Sequence, residues 1–216
     1  MNMSTREPIV ENAGLWKVWV LSCVAEASRM GLAPLATPHL HVILYLANTL
    51  AELFEVTRVR GRVLKHGVFP FFPDVQREID RLAFAGILSI ERVDFGPKDH
   101  FSAHYELGIR GHSTYTALLA HSKEAQRTSR LFRELVSACF GRFLNTRAGI
   151  GPIDANYGNS AVLDGEVVDF SEWTDENKNM EVANFLIERL RALRPNADRD
   201  GVRLYCDYLD NAMALI

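Results

Sequence analysis

A helical pattern that gives way to two strand patterns in the middle of the chain constrains the fold most. Residues 73–85 carry apolar side chains at helical spacing, and Gly86 follows where a left-handed helix end is expected. Residues 87–93 then alternate as a strand, residues 94–99 contain a Gly-Pro turn, and residues 100–109 return as a second strand. This order predicts a helix followed directly by a β-hairpin.

Two further helices are predicted before this unit. Residues 15–30 have apolar side chains at helical spacing and end at Gly31. Residues 38–54 form an apolar helical stripe that begins with Thr37 as the expected N-cap and Pro38 in the first turn. Helices that precede a helix and a hairpin in this order are typical of a winged helix. We therefore predict a mainly α protein with a small β-hairpin, of the α+β class.

The charge distribution divides the chain into two regions. Residues 1–147 contain 18 Lys and Arg against 14 Asp and Glu, whereas residues 148–216 contain 6 against 13. We predict a helical, winged-helix domain over 1–147 and an acidic C-terminal region over 148–216. The latter begins with a Gly-rich linker at 147–159 and contains two helices, at 179–193 and 201–216. The imbalance indicates either two faces with different partners or ordinary solvated surfaces.

Three groups of side chains are candidate contacts for a partner or for nucleic acid. The first is a short basic segment, and the second is the expected outward face of the helix at 73–85. The third is a stripe on a helix predicted at 123–143. A shorter helix is predicted before it, at 112–121. Their members are Arg58, Arg60, Arg62 and Lys65; Gln76, Arg77 and Arg81; and Lys123, Arg127 and Arg130.

The second group has the residue types that read bases in a major groove, but its helix also carries Asp74, Glu78 and Asp80. Carboxylates repel phosphates, and phosphate attraction dominates the affinity of proteins for DNA. The first and third groups are therefore the better candidates for a nucleic-acid contact. A solvated face or an acidic protein partner is the alternative for the third group.

No residue pattern supports catalysis or a bound cofactor. The chain has neither a Walker A loop nor a dinucleotide-binding glycine fingerprint. Its seven histidines lack metal-ligand spacing, and Cys23, Cys139 and Cys206 lie far apart, as expected of buried thiols in a reducing cytosol. We expect no enzymatic activity, no cofactor and no metal site.

The apolar runs are all shorter than a membrane-spanning helix needs. The N-terminal residues carry charges of both signs and lack the apolar core of a signal peptide. We therefore expect a cytoplasmic protein without a membrane partner.

Three sequence blocks carry a resemblance to small bacterial winged-helix accessory proteins. They are ILYLANTL at 43–50, FFPDVQREIDRLAFAGILSI at 71–90 and YELGIRG at 105–111. Over residues 38–120 the chain is similar to the middle component of ABC-three-component defence systems, including Lamassu-type systems. The resemblance implies a small protein that bridges an SMC-like ATPase and an effector such as a nuclease.

The chain also resembles the Panacea-type antitoxin domain. That resemblance rests on Leu44-Tyr45 and on the segment from Tyr105 to Gly111, where Gly108 replaces the usual threonine. Neither family implies catalytic residues.

Two functions remain open. The first is a non-enzymatic adaptor bound to a larger ATPase or effector. Three features favour it: the mixed charge of the helix at 73–85, the acidic C-terminal region and the aromatic cluster Phe69–Phe72. An antitoxin that masks a toxin is a variety of this function. The second is a dimeric DNA-binding transcriptional regulator that uses this helix or the basic stripe. DNA contact that occurs only within a complex is compatible with the first.

Overall fold

The computed structural model of the chain is mainly helical with two small antiparallel sheets, which confirms the predicted α+β class. It describes residues 13–59, 61–66, 69–96, 101–140, 163–168, 184–185, 188–189, 192 and 198–213. Within these ranges, no helix has both the length and the apolar character that crossing a bilayer requires.

Three helices form the first part of the fold. Helix α1 spans Ala13–Arg29, α2 spans Thr37–Leu50 and continues as a 3-10 turn over Ala51–Phe54, and α3 spans Pro73–Phe84. Every side chain of α2 from Leu40 onward is buried. A helix that is apolar on nearly all sides belongs in the centre of a core. Helix α2 lies there, in contact with α1, with the later helix Lys123–Cys139 and with strands of both sheets.

The start of α2 differs from the prediction. The expectation that Thr37 is the N-cap was wrong, because Ala36 occupies that position without a side-chain cap. The Thr37 hydroxyl instead donates a hydrogen bond to the backbone carbonyl of Ala103, at 3.0 Å. A tertiary acceptor on a neighbouring strand thus takes the place of the local one. The predicted proline in the first turn is confirmed.

The predicted β-hairpin follows α3. Gly86 has a φ of +68°, a left-handed conformation that glycine adopts without a steric cost. Strand β4 spans Leu88–Phe95 and β5 spans Phe101–Leu107. Because the ladder continues until Phe95 lies opposite Phe101, β4 extends two residues beyond the predicted strand.

The hairpin belongs to a three-stranded sheet with the order β1-β5-β4, in which β1 is Leu35–Ala36. Strand β5 is central and pairs antiparallel with both neighbours. Helices α1 and α2 contact β5, and α3 contacts β4. The sheet therefore places α3 on an outer side of the fold.

Two consecutive helices follow the hairpin. Helix α4 spans Ile109–His121 and α5 spans Lys123–Cys139. The side chain of Ser122 caps α5 by accepting the backbone N–H of Ala125 at 3.1 Å. The helix predicted to reach residue 143 ends at Cys139. Residues 141–162, including the whole of the predicted linker at 147–159, lie outside the described residues.

A second sheet joins the basic segment to the acidic C-terminal region. Strands β2 (Val63–His66), β3 (Phe69–Phe71) and β6 (Val167–Val168) pair in the order β3-β2-β6. Gly165, with a φ of +86°, forms the turn that leads into β6. The basic and acidic regions are thus connected through backbone hydrogen bonds.

The last helix, α6, spans Asp198–Met213 and packs on α5 and the 3-10 turn. Its side chains Val202, Tyr205, Cys206 and Leu209 join the hydrophobic core. Of the helix predicted at 179–193, residues 184–185, 188–189 and 192 are helical, and the others lie outside the described residues. The division into two domains stays a prediction.

Candidate interaction surfaces

The exposed cations of α3 are already paired with carboxylates. Arg77 lies 3.2 Å from Asp74, and Arg81 forms an ion pair with Glu78. Glu78 is almost fully buried and also lies 3.6 Å from the amino group of Lys17 on α1. Because each arginine has an acidic neighbour three residues earlier, α3 presents little free positive charge to a phosphate.

Gln76 was predicted to face outward beside these arginines, and this prediction was wrong. Its side-chain oxygen accepts a hydrogen bond from His41 Nε2 at 3.3 Å. Its amide nitrogen donates to Asp80 at 2.8 Å and to the Tyr105 hydroxyl at 3.5 Å. Gln76 therefore connects α2, α3 and β5 and is not available to read a base edge.

His41 is held in its neutral form by this network. Its Nδ1 accepts the backbone N–H of Phe72 at 3.2 Å, which leaves Nε2 to carry the proton that Gln76 accepts. The pKa of His41 is lowered to about 4, mainly by burial; the hydrogen bond to Gln76 opposes this shift, and the nearby His66 adds to it. The site is a structural connection between α2 and α3.

The folding of the basic segment separates its cations. Arg58 pairs with Glu52 of the 3-10 turn at 2.6 Å, Arg62 is exposed, and Lys65 lies in β2. The backbone of Lys65 bonds to residues of the acidic region. Arg60 lies outside the described residues. The described cations of this segment therefore do not converge with those of α3.

The third predicted group does come together. Its members line an open depression of about 630 Å³ at α5, which we call the basic depression. Its polar lining consists of Lys123, Gln126, Arg127, Ser129, Arg130 and Arg133, together with Glu55. Arg58 lies at a neighbouring, smaller depression that shares Glu55 with it.

The cations of the basic depression differ in how much charge they can offer to a ligand. Arg127 lies 3.1 Å from Glu55 and is also paired with Glu124, on its own helix. Lys123 and Arg130 are exposed, and in the part of the chain that the structure describes neither has an ion-pair partner. The capacity of this surface to attract an anion therefore rests mainly on these two residues.

A buried carboxylate that sequence reasoning missed lies beneath the basic depression. Glu26 of α1 accepts hydrogen bonds from Tyr115 at 2.8 Å, Ser129 at 2.7 Å and Arg133 at 3.0 Å. Burial on its own raises the pKa of Glu26, but the bonds from Arg133, Ser129 and Tyr115 outweigh it, and the net pKa is lowered. Burial also raises the pKa of Tyr115, which keeps its phenol a donor. The sequence feature that could have indicated this buried carboxylate is the position of Glu26 as a single acid within an otherwise apolar helical stretch.

Exposed apolar side chains form the remaining feature of interest. Phe84 at the end of α3 and Ile109 at the start of α4 are 97% and 96% exposed. They flank a junction at which the Arg110 guanidinium donates to the carbonyl of Ala85, at 3.1 Å. The sequence analysis did not predict this surface, because it assigned neither residue to the inner or the outer face of its helix or strand.

The aromatic cluster Phe69–Phe72 contributes less surface than the adaptor hypothesis assumed. Phe72 is buried and makes an edge contact with Trp16, at 5.6 Å between ring centroids. Phe69 and Phe71 are half-buried in β3. Phe72 therefore packs beneath the adjoining helices, which is the alternative that the sequence also allowed.

Comparison with models of protein families finds no match to this chain, and no curated protein matches it. In the described ranges, no three His, Cys, Asp or Glu side chains converge as a metal ion would require. The assignment of a function therefore depends on the surfaces themselves.

Proposed function

We propose that the protein is a non-enzymatic winged-helix adaptor that binds a larger protein partner. The order α1-β1-α2-α3-β4-β5, with β2 and β3 inserted before α3, supports the winged-helix assignment. The sheet order β1-β5-β4 is also the one such a domain needs. In this assignment α3 is the recognition helix and the β4–β5 hairpin is the wing.

One observation carries the choice of a protein over DNA: the exposed surface of α3 combines paired arginines with an exposed aromatic side chain. A phosphate group would compete with Asp74 and Glu78 for Arg77 and Arg81. A protein surface, in contrast, can bury Phe84, and aromatic side chains often dominate the energy of protein interfaces.

The resemblance of residues 38–120 to the middle component of ABC-three-component systems suggests the partner. We propose that the chain bridges an SMC-like ATPase and an effector in a cytoplasmic bacterial defence complex. The basic depression and the acidic composition of residues 148–216 suit two partners of different charge.

A binding experiment with an SMC-like ATPase from the same organism tests the proposal. The two proteins should co-elute in size-exclusion chromatography. Phe84→Ser should weaken their association by about tenfold or more, because it removes the exposed aromatic side chain that the partner would bury. Ser113→Ala, at an exposed position of α4, is the matched control and should leave binding unchanged. Tight, salt-sensitive DNA binding by the isolated chain would overturn the adaptor assignment.

The alternative is a DNA-binding transcriptional regulator. Lys123 and Arg130 favour it, because neither forms an ion pair with any residue that the structure describes. It predicts that Lys123→Ala and Arg130→Ala each lower the slope of DNA affinity against salt by roughly one phosphate contact. Arg77→Ala should have almost no effect, because Asp74 already neutralises that guanidinium. A gel-shift titration at two salt concentrations distinguishes the two functions.

A further inference from the structure

The outer edge of β4 carries the features of an unfilled strand-pairing site. Strand β4 lies at the end of the β1-β5-β4 sheet, and in the described part of the chain no strand lies beside it. Its residues from Ile90 to Phe95 are all exposed. Edge strands that avoid pairing commonly carry Lys or Pro, and β4 has neither, although it has a β-bulge and charged side chains that a pairing strand must complement.

A β-bulge sorts the side chains of β4 into an apolar face and a charged face. The register shifts between Ile90 and Arg92, so that Ile90 lies opposite Tyr105 and Val93 lies opposite Ala103. Positions 103 and 105 share one face of β5, because alternate residues of a strand point the same way. Ile90 and Val93 therefore lie on the same face although they are three residues apart.

The opposite face of β4 is charged. Arg92 lies opposite His104, and its guanidinium contacts Asp94 at 2.9 Å. The Glu91 carboxylate accepts a hydrogen bond from the Ser89 hydroxyl at 2.6 Å, which places Glu91 on this face as well. An acid and a base thus stand next to each other at the middle of the exposed edge.

We propose that β4 pairs antiparallel with β4 of a second copy of the chain, about a two-fold axis between residues 91 and 92. In this register Glu91 lies opposite Arg92 of the second copy, and the same pair forms again across the axis. Ile90 lies opposite Val93 of the second copy, so apolar side chains also meet on the apolar face. The two sheets join into one continuous six-stranded sheet, and the unpaired backbone groups of both edges are satisfied.

The charge sequence of the edge selects a second copy over an unrelated strand. A two-fold interface requires each surface to be complementary to itself. The order Ile90, Glu91, Arg92, Val93 has this property in the antiparallel register, because every acid then faces a base and every apolar residue faces an apolar residue. Glu91 and Arg92 are neither Phe84 nor part of the basic depression, so variants at these positions test the dimer separately from the adaptor function.

The test is a charge-swap series on the full chain, with molar mass measured by light scattering from about 1 to 100 µM. The unaltered chain should have twice the mass of one chain at the upper end of this range. Arg92→Glu and Glu91→Arg each place like charges opposite one another, so each should weaken dimerisation by roughly a hundredfold. An equimolar mixture of the two variants should form a heterodimer, because one carries only acids and the other only bases at the two positions.

Arg77→Glu makes the same charge change on α3 and should leave the dimer intact. Circular dichroism of both β4 variants verifies that they remain folded. The proposal is overturned if the unaltered chain is monomeric at the highest concentration, if Arg92→Glu remains dimeric, or if the mixed variants do not associate.

Discussion

His41 lies where α2, α3 and β3 meet, with its ring nearly parallel to that of Phe72, at an interplanar angle of 6°. One ring nitrogen accepts from the backbone and the other donates to Gln76, so the neutral imidazole satisfies both partners. A second proton on the ring would face the backbone N–H of Phe72. This geometry acts in the same direction as burial, which lowers the pKa of His41 to about 4.

We predict that acid destabilises the protein through His41. The imidazole has a pKa of 6.5 in the unfolded chain and about 4 in the folded one, so the unfolded state binds the proton first as the pH falls. The contribution of neutral His41 to the free energy of unfolding is complete above pH 6.5. It is lost as the pH falls toward 4, and the total loss is about 3 kcal/mol. Urea unfolding at a series of pH values should show a flatter dependence for His41→Gln. His112→Gln, at an exposed position, should keep the original slope; equal slopes for all three proteins would contradict the assignment.

Glu26 supports a second prediction at the residue scale. Glu26→Gln removes the charge that Arg133 and Arg29 face and weakens three hydrogen bonds, which should cost about 2–4 kcal/mol of unfolding free energy. Glu55→Gln breaks the exposed pair with Arg127 and should cost no more than about 0.5 kcal/mol. Guanidinium titrations of both variants provide the comparison. A similar loss for the two would show that the buried network has no special importance.

At the scale of elements, the start of α4 packs directly on the start of the hairpin. A Cβ atom added at Gly108 would lie 2.6 Å from the carbonyl oxygen of Gly86, and one added at Gly111 would overlap the carbonyl oxygen of Ile87. The backbone N–H of Gly108 also donates to Ile87 at 2.9 Å. These contacts explain why glycine recurs in the segment that joins β5 to α4.

Gly111→Ala should therefore destabilise the fold by about 2 kcal/mol or more, since backbone atoms must move to admit the methyl group. Gly14→Ala is the matched control. Its Cβ would meet no atom within 4 Å, and alanine in an exposed helix should raise stability by about 0.5–1 kcal/mol. Thermal unfolding should give shifts of opposite sign, and a neutral Gly111→Ala would contradict the close approach.

At the scale of the whole molecule, the described residues of the acidic C-terminal region contact the basic body at two places. Strand β6 pairs with β2, and α6 packs on α5 through side chains that are part of the common core. The opposite net charges of the two regions favour this association. We therefore expect α6 to unfold together with the helices it covers.

Tyr205→Ala tests this expectation. Tyr205 is buried in α6, so its removal should cost about 3–5 kcal/mol and shift a single unfolding transition measured by circular dichroism. Leu204→Ala, at a 38% exposed position of the same helix, should have a much smaller effect. A separate early transition that leaves the main one unchanged would instead show an independently folding C-terminal region.

The sequence by itself determined the order of helices and strands around the hairpin, because those features depend on local periodicity and on glycine and proline. The helix at 73–85 and its end at Gly86 were predicted within a residue. The sequence also placed Lys123, Arg127 and Arg130 on one helix face, because residues at this spacing lie on the same side of a helix.

Only the tertiary structure decided what the polar side chains do. Gln76 turns inward because His41, distant in sequence, needs an acceptor in the core, and Thr37 bonds to Ala103 because β5 passes beside it. Glu26 finds its donors on α4 and α5 for the same reason. Hydrogen bonds and ion pairs depend on which elements lie next to each other in the folded protein, and residue spacing along the chain does not specify those contacts.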